Sequence, residues 1–235
     1  MKSVRIVFLI SGNGGTLKVV HQANQRLQLG LDIVAVLADR PCGGLDYARS
    51  VGLPAKQLAY TRKSPFALRE ALLEAAPDFV VTNIHKIIDA ETLALLPPGS
   101  FINLHYSLLP AFKGVIGMET VAQAKALNLS IIGATCHEVE EEVDNGRCLA
   151  QFALGVDWQR DTLEEVYELV FRGAGLVLLQ GLLTQAGREP LPLISAANWP
   201  HSILFSPRLC FNSSQLDEAF WQEIKGLGTV QPAVE

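Results

Sequence analysis

The chain has 235 residues, 49% of them hydrophobic and 18% charged, with a formal net charge of −5. That length suits one large domain or one domain with a C-terminal extension, and the apolar content excludes a disordered chain. The acidic balance, with no run of Lys or Arg, excludes an electrostatic footprint for nucleic acid.

Met1-Lys2-Ser3-Val4-Arg5 leads into a continuous apolar run over 6–10, of the kind that forms a fully buried strand in a parallel sheet. This start has no signal-peptide architecture, and no apolar stretch reads as a membrane span, so a cytoplasmic protein is expected. The run breaks at Ser11-Gly12-Asn13-Gly14-Gly15, and residues 16–29 read as a helix with Thr16 at its N-terminus. Strands are expected over 33–37, 54–58, 78–82 and 100–104, with helices over 44–51 and 64–75 between them. This βαβ alternation predicts an α/β fold: a Rossmann-like, doubly wound, mostly parallel sheet with helices on both faces and right-handed crossovers.

Past Ser107-Leu108-Leu109-Pro110 the pattern changes. Residues 118–127 look helical, and 131–139 and 147–154 look like two strands joined through the turn Asp144-Asn145-Gly146, where Asn-Gly is a strong hairpin signal. A long helix is expected over 162–187, with Asp161 as N-cap and Glu164 and Glu165 in its first turn. Its apolar face over 163–183 could serve core packing or a homodimer. The tail from Glu189 carries Pro190, Pro192, Pro200, Pro207, Pro232, Trp199 and Trp221, and reads as irregular apart from a short helix near 216–225. The expected organisation is a catalytic domain over 1–187 and an irregular extension over 188–235 packed on it.

Cys42, Cys136, Cys148 and Cys210 lack metal-site spacing, and the five histidines form no HxxxH or HxH pair. Buried free thiols, no metal and a reducing compartment are the expectation. The loop Gly12, Asn13, Gly14, Gly15, Thr16 follows the first strand and opens the first helix. Glycines allow close backbone approach, and a helix start offers free N–H groups to an anion. The dinucleotide fingerprint is incomplete because Leu17 stands at its third position, although Asp39 could pose as a ribose-binding acid. A mononucleotide or phosphate site, a structural turn and an NAD(P) site all remain open for this loop.

Asn103 and His105 lie two positions apart at a strand end, so their side chains share one face and can converge on one small group. A hydrogen-bond donor beside a proton carrier is what a developing oxyanion requires. A carboxylate at Asp144 would favour the charged form of His105 and hold a water or an amine. Their plainer readings are a satisfied strand-end histidine and ordinary turn chemistry. His137 reads as a strand residue, and Glu138 with Glu140, Glu141 and Glu142 as a solvated acidic rim.

At these residues the chain resembles the folate-dependent formyltransferase superfamily, over roughly residues 4–183. The resemblance rests on Ile10-Ser11-Gly12-Asn13-Gly14, on Asn103-Leu104-His105 with Ser107-Leu108-Leu109-Pro110, and on Val143-Asp144-Asn145-Gly146. It implies Asn103, His105 and Asp144 as a catalytic trio and 10-formyltetrahydrofolate as formyl donor and cosubstrate. It implies that His85, Lys86, Ile87 and Ile88 line the pterin pocket, with Glu140, Glu141 and Val143 closing its other side. The glycine-rich loop is similar to the one that binds the substrate phosphate in the glycinamide ribonucleotide members. Leu109-Pro110-Ala111-Phe112-Lys113-Gly114 and Ile132-Gly133-Ala134-Thr135-Cys136-His137 are similar to the deformylase members. The expected reaction is formyl transfer to a small-molecule amine, glycinamide ribonucleotide first in purine biosynthesis. Hydrolysis of the donor and formylation of an amino sugar or another amine are the alternatives.

Overall fold

The computed structural model describes residues 3–189, 199 and 201–227. The chain forms two compact units, Met1–Phe101 with Gln215–Glu235, and Ile102–Ser214.

The first unit contains β1 (Val4–Ile10), α1 (Gly15–Leu27), β2 (Leu31–Ala38), α2 (Gly43–Ser50), β3 (Ala55–Gln57), α3 (Phe66–Ala75), β4 (Phe79–Asn83) and α4 (Ala90–Leu93). Its strands run in the order β3-β2-β1-β4, and the β1–β2, β1–β4 and β2–β3 pairs are parallel. β1 has a partner on both edges and is covered on both faces, which is why Ile6, Val7, Phe8 and Leu9 are fully buried and why its run is continuous rather than alternating. The β1–α1–β2 and β2–α2–β3 crossovers step one way, and β3–α3–β4 returns to the far side of β1. With right-handed crossovers, α1 and α2 cover one face and α3 the other. The winding therefore reverses between β1 and β4, the position where open α/β sheets receive ligands.

The second unit contains β5 (Phe101–His105), α5 (Glu119–Ala126), β6 (Ile131–Glu138), β7 (Cys148–Gly155), α6 (Leu163–Gln185) and β8 (Ile203–Ser206), with the four strands antiparallel in that order. α6 packs across β6 and β7, burying Val166, Val170, Ala174, Val177, Leu178 and Leu182. This 23-residue helix is long and apolar enough to cross a membrane, but 78% of its apolar window is buried in the unit, so its apolar face is core. The last described helix, α7 (Glu218–Gly226), belongs to the first unit and lies against α1, where Lys18 Nζ donates to Leu227 O at 2.8 Å and Arg26 pairs with Asp217 at 3.1 Å.

Two helix starts differ from expectation. α1 is capped by Gly14 in the left-handed region (φ 68), and Thr16 is a buried first-turn residue whose Oγ1 accepts from Asn83 Nδ2. α6 is capped by Thr162: its Oγ1 accepts from Glu165 N at 3.2 Å, and Thr162 N donates to Glu165 Oε2 at 2.9 Å. Asp161 instead accepts from Asp157 N at 2.7 Å and pairs with His201 Nε2 at 3.0 Å. The edge strand β8 was masked in the sequence by its proline-rich surroundings, which argue against sheet. Pro190, Pro192, Pro200 and Pro232 lie outside the described residues.

Thr162→Ala should lower stability by about 1 kcal/mol and the melting temperature by about 2–4 °C. An unchanged melting curve would remove Thr162 as the cap.

Candidate active site

In the first unit, the loops after β1 and β4 meet at the winding reversal. Gly44 N donates to Gly12 O at 3.0 Å, and a Cβ on Gly14 would stand 2.8 Å from the Gly44 Cα. The glycines thus let the loop lie directly on the start of α2 while Gly14 takes its positive φ. Gly12, Asn13, Gly14, Gly15 and Thr16 are contiguous there, with the first N–H groups of α1 at their end. Asp39 does not present a free carboxylate. Its side chain is only 2% exposed, accepts from Ser11 Oγ at 2.7 Å and is held by Arg40 at 2.8 and 3.1 Å. Burial would raise the Asp39 pKa, but the Arg40 and Ser11 hydrogen bonds and the Arg40 charge outweigh it and hold the carboxyl below its ordinary range. A side chain this buried, with three hydrogen bonds already accepted, is poorly placed to take ribose hydroxyls, which weakens the dinucleotide reading.

Ser11 Oγ also accepts from His85 N at 2.8 Å, linking the two loops. His85, Lys86 and Ile87 are exposed, and Ile88 is buried at 5%. Ile87 O accepts from the Tyr60 hydroxyl at 2.9 Å. Between these two anchors, the N–H groups of Lys86 and Ile87 and the carbonyls of His85 and Lys86 have no hydrogen-bond partner among the described residues.

In the second unit, Asn103, His105 and Asp144 come together. Asn103 and His105 sit on one face of β5, and the antiparallel register sets Asn103 opposite His137 and His105 opposite Thr135. Asp144 arrives from the loop between β6 and β7 in the left-handed region (φ 56), a conformation that Asp tolerates better than most residues. Its Oδ2 lies 3.3 Å from His105 Nδ1 and accepts from Gly114 N at 2.8 Å, while Oδ1 lies 3.5 Å from His137 Nε2. His105 Nε2 faces Phe112 O at 3.0 Å; a carbonyl only accepts, so this nitrogen carries hydrogen. By the same reasoning His137 Nδ1 donates to Glu138 O at 2.7 Å, leaving its Nε2 facing Asn103 Nδ2 at 3.3 Å. The side chains of His105, Asp144 and His137 are 6%, 6% and 2% exposed.

Burial would raise the Asp144 pKa, but the His137 contact, the Gly114 N–H and both imidazoles outweigh it and hold this carboxyl below its ordinary range. For His105, burial is the largest influence and pulls the pKa down; Asp144 and the Phe112 carbonyl oppose it without overcoming it. Both ring nitrogens face acceptors, Nδ1 the Asp144 carboxylate and Nε2 the Phe112 carbonyl. The ring can take a proton whenever negative charge builds beside it.

His137 is the member of this cluster that chain-order reading left in the strand. Only the β5–β6 register, which sets it across from Asn103, could have revealed it. The backbone groups of Phe112 and Gly114 were equally invisible. Glu140, Glu141 and Val143 are exposed, and Lys113 Nζ donates to Asn145 Oδ1 at 2.6 Å. Among the described residues, no group of three or more His, Cys, Asp or Glu is placed to hold a metal ion.

Residues 4–180 match the family model described as formyl transferase. The chloroplastic phosphoribosylglycinamide formyltransferase of Arabidopsis thaliana is 32% identical over 176 residues, covering 71% of this chain and 60% of that protein. The chain thus spans about 60% of that relative's length. The formyltetrahydrofolate deformylase of Mycobacterium bovis is 27% identical over 163 residues, covering 66% of this chain and 50% of that protein. Among solved structures, glycinamide ribonucleotide transformylase 1 from Symbiobacterium toebii is similar, with a TM-score of 0.71 and 28% identity, covering 81% of this chain and 91% of its own.

Two outcomes follow from the Asp144 turn. A Cβ on Gly146 would stand 1.9 Å from Glu138 O, so Gly146→Ala should displace the turn, cost about 1–3 kcal/mol in a denaturant melt and loosen Asp144. The Asp144 carboxyl is held below its ordinary range, so its stabilisation is present in full above the ordinary carboxylate pKa and is lost as pH falls through the lowered value. Asp144→Asn should be less stable than the parent at about pH 7, with the gap closing in strong acid. A gap that stays constant with pH would show that Asp144 adds nothing through its charge.

Proposed function

The chain belongs to the formyl transferase family, and on that premise we propose that it moves a formyl group from 10-formyltetrahydrofolate to an amine, with glycinamide ribonucleotide as the first acceptor. The observation that carries this reading is the buried cluster in which one carboxylate, Asp144, braces His105 beside Asn103.

Attack of an amine on the formyl carbon drives negative charge onto the formyl oxygen. Asn103 Nδ2 and His105 Nε2 are the donors offered to that oxygen, and in a site this buried their hydrogen bonds strengthen as charge develops. In the free chain the His105 hydrogen is spent on the Phe112 carbonyl, a neutral acceptor that an oxyanion outcompetes. The attacking nitrogen must lose a proton and the departing folate nitrogen must gain one. With His105 Nε2 donating to the oxyanion, the nitrogen left to take the proton is Nδ1 beside Asp144, so Asp144 would relay the proton from the amine, share it with Nδ1 and return it to the leaving nitrogen.

The glycine-rich loop Gly12, Asn13, Gly14, Gly15 and Thr16 would take the acceptor's phosphate on its backbone N–H groups. His85, Lys86, Ile87 and Ile88 would meet the pterin, a reading supported by the unpartnered backbone groups along that segment. Glu140, Glu141 and Val143 would complete the folate contacts, and residues 188–235 would be an extension to the catalytic domain. Hydrolysis of the same donor is the second reading, favoured by the similarity to a deformylase; with water in place of the amine, the same cluster would release formate.

The test is an absorbance assay of 10-formyltetrahydrofolate with and without glycinamide ribonucleotide. Transfer predicts tetrahydrofolate formation only when the ribonucleotide is present; formation at an equal rate without it, with formate, would establish hydrolysis. His105→Ala should reduce turnover by at least about a hundredfold while the protein stays folded. Near-normal turnover in that variant would remove His105 from the chemistry.

A further inference from the structure

The segment His85 to Ile88 is held from both ends by the same kind of relay. At one end His85 N donates to Ser11 Oγ, which donates to Asp39 Oδ1, which Arg40 holds. At the other, the Tyr60 hydroxyl donates to Ile87 O at 2.9 Å and accepts from Asp89 N at 3.3 Å. Asp89 is fixed in turn: Oδ1 accepts from Arg69 Nη2 at 2.5 Å and from Thr92 N at 3.0 Å, and Oδ2 accepts from Thr92 Oγ1 at 2.6 Å. Tyr60 is 3% exposed and Asp89 8%. Tyr60 comes from beyond β3, far along the chain from the segment it grips. Between the two grips lie the N–H groups of Lys86 and Ile87, which have no partner among the described residues.

We infer that Tyr60 is a positioning residue for the folate cosubstrate: its hydroxyl fixes the Ile87 carbonyl and the Asp89 N–H, and so aims the backbone of residues 85–88 before the ligand arrives. The inference rests on the reading that this segment meets the pterin. A backbone strip recognises a flat heterocycle only if its donors and acceptors hold a fixed spacing, and a bend outside helix and strand has no ladder to hold that spacing. The hydroxyl satisfies one donor and one acceptor at once, which phenylalanine cannot do. Burial would raise the Asp89 pKa, but the two Thr92 hydrogen bonds and then the Arg69 guanidinium outweigh it and hold the carboxyl below its ordinary range, so the far wall of the relay is itself held in place.

Tyr60→Phe should raise the KM for 10-formyltetrahydrofolate about tenfold, while kcat and the KM for the amine stay within about twofold. That split is the readout a merely structural role would not produce. A lowered melting temperature with all three constants unchanged would overturn the inference, as would equal losses in kcat and both KM values. Hydrogen exchange on the unsubstituted protein tests the clamp without any variant. In the free protein the amides of His85 and Asp89 should exchange slowly and those of Lys86 and Ile87 quickly, and 10-formyltetrahydrofolate should protect the latter pair. Fast exchange at Asp89 in the free protein would overturn the clamp. If the unsubstituted protein neither turns over nor binds the folate, the functional reading fails instead, and the exchange pattern of the free protein distinguishes that failure from this one.

Discussion

The chemistry of the second unit depends on a carboxylate removed from water. Asp144 is 6% exposed and has imidazoles on two sides, His105 at 3.3 Å and His137 at 3.5 Å, with the Gly114 N–H at 2.8 Å. An isolated carboxylate at that depth would protonate, since desolvation penalises the charge heavily. The surrounding donors reverse this and keep it ionised. In return, its charge orients both rings, and the His137 ring reaches Asn103. One desolvated charge from the loop after β6 therefore organises three side chains, His105 and Asn103 from β5 and His137 from β6. Removing one partner of such a group costs more than the contact is worth, because the remaining charge stays buried.

Backbone chemistry supports that charge as much as side chains do. Phe112 and Asp144 are both non-glycine residues at positive φ, 58° and 56°, a conformation that costs free energy and persists only where surrounding contacts enforce it. Each lies beside a hydrogen bond of the cluster: the Phe112 carbonyl faces His105, and the Asp144 side chain takes the Gly114 N–H. Gly146 then lets the returning chain pass against Glu138, where no side chain fits. Irregular backbone on both sides of β5 and β6 is how donors and acceptors are brought to side chains that the strands alone would leave half-satisfied.

Much of this was legible in the sequence. The continuous apolar run of β1, the strand and helix alternation after it and the break at the glycines specify the parallel half, because a doubly covered strand must be apolar on both faces. The Asn103 and His105 pair was legible because strand periodicity is local. Asp144 was not derivable from spacing; it sits in a turn whose residues look like ordinary turn chemistry, and it stood out through the chemistry a carboxylate offers His105 and through the family resemblance. His137 needed a strand register, which no local pattern supplies. The caps at Gly14 and Thr162 were misplaced in favour of Thr16 and Asp161. Each favoured residue has a polar side chain of the right type, and tertiary partners, Asn83 and His201, claim it instead. β8 was hidden because an edge strand of four residues beside prolines carries almost no signal.

The two relays in the first unit follow the same logic as the Asp144 cluster, turned to a different end. A loop that recognises a ligand through its backbone cannot spend those groups on itself, yet an unbonded loop is mobile and gives up affinity to ordering. Gripping only the ends resolves the conflict: Ser11 holds His85 N and Tyr60 holds Ile87 O, and the peptide groups between them stay open. Hydroxyls suit the task because one oxygen both donates and accepts: Ser11 passes from the His85 N–H to the Asp39 carboxylate, and Tyr60 joins the Asp89 N–H to the Ile87 carbonyl. At the outer ends, Arg40 with Ser11 holds the Asp39 carboxyl below its ordinary range, and Thr92 with Arg69 does the same for Asp89. Rigidity of this kind rests on polar contacts set into apolar packing, since Tyr60 is 3% exposed and Ile88 5%.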